Sequence, residues 1–105
     1  MMIADALALV LAEMDRARQK FAGWPRDPVH AAAIVVEEAG ELMQACLNYT
    51  YETGGVEGDD AASMRAEAVQ TAAMAIEFLV NEVHYRPRPS PQRSKMSDPL
   101  NPEKH

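Results

Sequence analysis

An all-α fold is what this chain predicts, and three observations carry the prediction. Alanine and methionine are plentiful, aromatics make up only 6% of the 105 residues and there are five glycines, a balance that favours helices over a sheet. Apolar residues recur at the spacing of a helix rather than alternating as in a strand. Proline and glycine fall at a few places only, and they divide the first 85 residues into three segments.

The first segment reads as a helix over residues 2–21, with Leu7, Val10, Leu11, Met14 and Phe21 at helical spacing. Gly23-Trp24-Pro25 stops it. Asp27-Pro28 starts the second helix, because Asp27 has a capping side chain and proline suits the first helical position. That helix is expected to run to about Tyr51. Thr53–Gly58 holds three glycines and reads as a turn. A third helix, capped by Asp59 or Asp60, is expected to continue to about His84, with a broad stripe from Val69 through Ala72, Ala73, Ile76, Leu79, Val80 and Val83. Apolar faces this wide in so short a chain imply a three-helix bundle completed by oligomerisation, as a homodimer or homotetramer.

Residues 1–85 therefore form one all-helical domain. Residues 86–105 begin Arg-Pro-Arg-Pro-Ser-Pro and hold five of the seven prolines, the composition of a basic, extended tail with little core of its own.

The net charge of −6 is unevenly spread. Residues 27–85 carry eleven acids against one base, Arg65. So acidic a body repels a phosphate backbone, which argues against nucleic-acid binding. No stretch reaches the roughly 18 to 20 apolar residues of a membrane span, so no membrane partner is expected. The single cysteine, Cys46, forms no internal disulfide, and the apolar start lacks a basic leader region; both fit a cytoplasmic protein.

The informative segment is Ile34–Leu47. Glu37, Glu38 and Glu41 lie within two turns, and no lysine or arginine occurs between Asp27 and Arg65. Glu37 and Glu41 are about 40° apart around the helix and Glu38 about 100° from Glu37, so all three lean towards one region. Like charges at this spacing repel, and no basic partner one turn away relieves them. A solvated acidic face has the same pattern; a hard divalent cation is the alternative. On the third helix Glu67 stands beside the apolar stripe, with Gln70, Glu77 and Asn81 within about 80° of it. Antiparallel pairing of the two helices brings Glu67 opposite the first cluster. A ferritin-like di-iron centre lacks its Glu-x-x-His pairs here, since Glu38 is followed by Glu41, Glu41 by Gln44 and Glu67 by Gln70. Oxygen-only donors favour magnesium or manganese.

Val36-Glu37-Glu38-Ala39-Gly40-Glu41-Leu42, followed after 25 residues by Glu67, resembles the MazG-like all-alpha NTP pyrophosphatase superfamily. That family carries Glu-Glu-x-x-Glu on one helix and Glu-x-x-Asp on a later one, and the likeness spans about residues 20–83. It implies that Glu37, Glu38, Glu41 and Glu67 bind magnesium, and that a nucleoside triphosphate is cleaved between its α and β phosphates to a monophosphate and pyrophosphate. Glu38 is then the candidate acceptor of the water's proton. Gln70 departs from the pattern, standing where the family has Asp. An amide oxygen coordinates weakly and brings no charge, which leaves Gln70 and Glu77 as auxiliary groups and opens the alternative of a nucleotide-binding or assembly protein without turnover. Trp24, in the loop before the acidic helix, and Asn81 are candidates for contacting substrate.

Overall fold

The computed structural model describes residues 1–56 and 58–85, and the expectation of an extended tail over 86–105 lies outside the described residues. The described residues form helices and turns with no strand: α1 (Ile3–Lys20), α2 (Pro28–Leu47), a π-helical turn (Asn48–Glu52), α3 (Asp59–Val80) and a short 3-10 turn (Glu82–His84).

Local chemistry sets most of these limits. The Met2 amide donates to Asp5 Oδ2 at 3.0 Å across the first turn of α1. Asp27 caps α2 through its carboxylate, which accepts from the His30 amide at 3.2 Å, with Pro28 in the first turn. α2 ends four residues before the expected Tyr51, because the chain widens into i→i+5 bonding there: the Thr53 amide donates to the Asn48 carbonyl at 3.2 Å. Gly54 and Gly55, with φ of 69° and 79°, then turn the chain, and Tyr49 Oη locks the turn by donating to the Gly55 carbonyl at 2.8 Å. The N-cap of α3 is Gly58 rather than either aspartate; Asp59 and Asp60 occupy the first turn, where their charge suits the helix dipole. At the far end α3 stops at Asn81, whose side-chain amide and backbone N–H both donate to the Glu77 carbonyl, at 2.8 and 3.0 Å.

α3 is the central helix and packs against both α1 and α2. Contacts between Trp24 and Tyr85 and between Arg18 and Glu77 bring the C-terminal ends of α1 and α3 and the start of α2 together at one end of the bundle. The core joins Val10 and Met14 of α1 to Ala73, with Val69, Ala72, Met74 and Ile76 packed around them. Of the apolar stripe read on α1 only Val10 and Met14 are buried. Leu7, Leu11 and Phe21 are exposed, Leu7 although it lies only about 20° from Met14 around the helix. On α3, Leu79 and Val80 are likewise exposed. No described helix is long and apolar enough to cross a membrane.

Candidate metal centre

α2 presents Glu37, Glu38 and Glu41 so that one carboxylate oxygen from each lies within 4.8 Å of the others. Glu37 and Glu41 are exposed and Glu38 is half-buried. Glu67, on α3, stands outside that 4.8 Å grouping but is felt by it. Burial, and then the charge of Glu41, raise the Glu67 carboxyl above the usual carboxylate range. Glu38 is raised too, first by burial and then by Glu41, Glu67, Glu37 and Glu13.

Two oxygens mark the centre more sharply than charge does. Glu38 Oε2 and Glu67 Oε2 are both buried from solvent, and neither has a hydrogen-bond partner among the described residues. A buried acceptor without a donor costs about 1–3 kcal/mol, so native structures rarely leave one unexplained. Two on facing helices, amid further carboxylates, fit a hard divalent cation bound through oxygen, and magnesium or manganese suits a set without nitrogen or sulfur. The three-glutamate group of α2 could hold such a cation.

Beside the cluster lies a cleft of about 890 Å³, bordered among others by Glu37, Glu38, Gln70, Trp24, Glu77 and Asn81. That volume is of the size that holds a small-molecule ligand. Glu41 and Glu67 are not among its lining residues. Trp24 is half-buried, and its Nε1 donates to Tyr85 Oη at 2.6 Å; the Tyr85 ring packs tilted against Phe78 with centroids 4.9 Å apart. Trp24 is thus pinned in the lining of the cleft.

Glu77 has a different neighbour from the other carboxylates. It is 5% exposed, and Arg18 grips it with a fork: Nε donates to Oε2 at 2.6 Å and Nη2 to Oε1 at 2.9 Å. Asn81 Nδ2 adds a longer bond to Oε1 at 3.4 Å. The structure therefore commits Glu77 to a cation of the protein itself, and Asn81 to supporting Glu77.

Sequence reasoning passed over the contribution of α1. Glu13, Arg16, Arg18 and Lys20 all line the cleft. The Glu13–Arg16 pair, at 2.6 and 2.9 Å, spans three positions of one helix and was legible as a surface pair; it pulls the Glu13 carboxyl below the usual range. The Arg18–Glu77 pair joins residues 59 apart in sequence, and no local pattern announces it.

Comparison with known proteins returned no matching family model, no matching curated protein and no matching solved structure.

Proposed function

We propose that this chain is a magnesium-dependent nucleoside triphosphate pyrophosphohydrolase of the MazG-like kind, acting in the cytoplasm as a homodimer or homotetramer. The observation that carries the reading is the pair of buried, partnerless carboxylate oxygens of Glu38 and Glu67 beside Glu37 and Glu41. Those four residues would hold the metal, magnesium or manganese, which supplies charge neutralisation at the phosphates and lowers the pKa of a bound water. Glu38 acts as the base: raised above the usual carboxylate range, it is better matched to taking a water's proton near neutral pH than an ordinary surface glutamate. As the water oxygen bonds to the α-phosphorus, its proton passes to Glu38 and pyrophosphate leaves. Trp24 and Gln70 both border the cleft; on this reading Trp24 would meet the base and Gln70 the phosphates, where an amide orients without adding charge. Exposed Leu7 and Leu11 on α1 supply the face that a second copy covers.

A second reading rests on Gln70, which borders the cleft where an acid would complete the set. On that reading the chain binds a nucleotide with metal and does not turn it over. Pyrophosphate release from a panel of common and modified nucleoside triphosphates, with magnesium and with a chelator, separates the two. Magnesium-dependent release lost in Glu38→Gln supports the hydrolase. Magnesium-dependent binding without release supports the second reading, and neither binding nor release refutes both.

A further inference from the structure

The acidic cluster is only half of what borders the cleft. α1 brings a guanidinium to the same space, held in a fixed plane by a group that does nothing else visible. Arg18 has five N–H donors, and Glu77 takes two of them, one on Nε and one on Nη2. Among the described residues no other acceptor takes the remaining three. Its side chain is 57% exposed, while that of Glu77 is 7% exposed, so the buried carboxylate is the anchor and the guanidinium edge is the part offered to solvent. Asn81 braces the anchor in turn. Arginine held this way presents a planar fork suited to phosphate oxygens, and little side-chain freedom remains to be lost on binding. Arg16 differs: its partner Glu13 is on the same helix, so α1 alone orients it.

We propose that Arg18 is the phosphate-contacting residue that selects a triphosphate, and that Glu77 is the positioning residue that aims it. This rests on the nucleotide reading given above. The carboxylate cluster and its metal hold the phosphates at the scissile bond. Arg18, which borders the same cleft, takes the oxygens beyond that bond, which a monophosphate lacks. Glu77 is kept from metal binding by this duty, because a carboxylate that already accepts a forked pair from arginine is a poor further ligand.

The test uses the full chain with magnesium and the α,β-imido analogues of the four common deoxynucleoside triphosphates, followed through the emission of the single tryptophan, Trp24, with the matching monophosphates alongside. Arg18→Ala should weaken triphosphate analogue binding by roughly 10- to 100-fold, the worth of a charge-assisted hydrogen-bonded pair. Monophosphate binding should change by no more than about twofold at unaltered manganese affinity, a difference inside ordinary additivity. Arg18→Lys should recover only part of the loss, because charge without the fork does not restore the geometry. Arg18→Ala combined with Glu77→Gln removes the orphaned buried charge, keeps the protein folded for measurement and should show the same triphosphate loss. Equal losses for triphosphate and monophosphate, no loss in Arg18→Ala, or a loss confined to Arg16→Ala would overturn the assignment to Arg18 while leaving the nucleotide reading intact. A wild-type protein that binds none of the analogues overturns both.

Discussion

Replacing Glu38 by glutamine should make the metal-free protein more stable, although it removes the residue on which the proposed chemistry depends. At a separation of 4.8 Å, the upper limit for this cluster, two unit charges repel by about 0.9 kcal/mol at the dielectric of water. Glu38 has two such neighbours, Glu37 and Glu41. Their exposure argues for the high-dielectric figure, and physiological salt screens roughly half of it. The net relief is about 1 kcal/mol, which for a domain of this size raises the melting temperature by about 4–8 °C. Magnesium should reverse the order. At a hundredfold excess over its dissociation constant the ion adds about 2.7 kcal/mol to a protein that binds it only when folded. Glu38→Gln gives up most of that. Melting curves by circular dichroism at about pH 8 should therefore cross: the variant melts higher in chelator and lower in magnesium. A variant that melts below wild type in chelator, or a magnesium shift equal in both proteins, refutes the reasoning.

Three further outcomes follow from the same structure. Glu38 and Glu67 are both raised by burial and neighbouring carboxylates, so the folded state binds more protons than the unfolded one in the window above the ordinary carboxylate range. Stability in chelator should accordingly rise as pH falls from about 8 towards that range, read as the urea midpoint, and the trend should vanish in the Glu38→Gln, Glu67→Gln double variant; a flat wild-type profile contradicts it. Tyr85→Phe leaves the Trp24 indole N–H without its 2.6 Å acceptor and should cost about 0.5–1.5 kcal/mol while shifting Trp24 emission, so unchanged emission counts against the contact. Leu11→Glu places a charge on the exposed apolar stripe of α1 and should reduce the sedimentation mass to the 11.6 kDa of one chain from a larger value in wild type; a wild type already at that mass excludes the oligomer.

What was legible in the sequence was whatever a single helix carries within itself. Asp27-Pro28 announced the start of α2 because capping is settled within one turn, from Asp27 to His30. Glu37, Glu38 and Glu41 could be placed on one face because helical geometry alone sets their spacing. Limits went astray where the helix did not simply end but changed winding, at the π-helical turn after Leu47 and at Asn81. Residues that depend on which faces meet were harder. Leu7 and Val10 look alike in the periodicity, yet only Val10 is buried, packed with Ala73 of α3. Glu77 read as one more carboxylate of the acidic side, because its partner Arg18 is two helices away in the chain. The acidic cluster was visible and the basic residues of α1 that border the same cleft were not, for the same reason.

The buried apolar positions of α2 and α3 among the described residues, Ala31, Ala45, Ala61 and Ala73, are all alanine. A methyl group has no rotamers, so wherever one of these alanines meets a neighbouring helix the approach is gauged by backbone and Cβ alone. Ala73 meets Val10 and Met14 of α1. A larger side chain there would push α1 away from α3, at about 1–3 kcal/mol for the overpacking. It would be expected to loosen the Arg18–Glu77 fork, which spans the same two helices, without altering either partner.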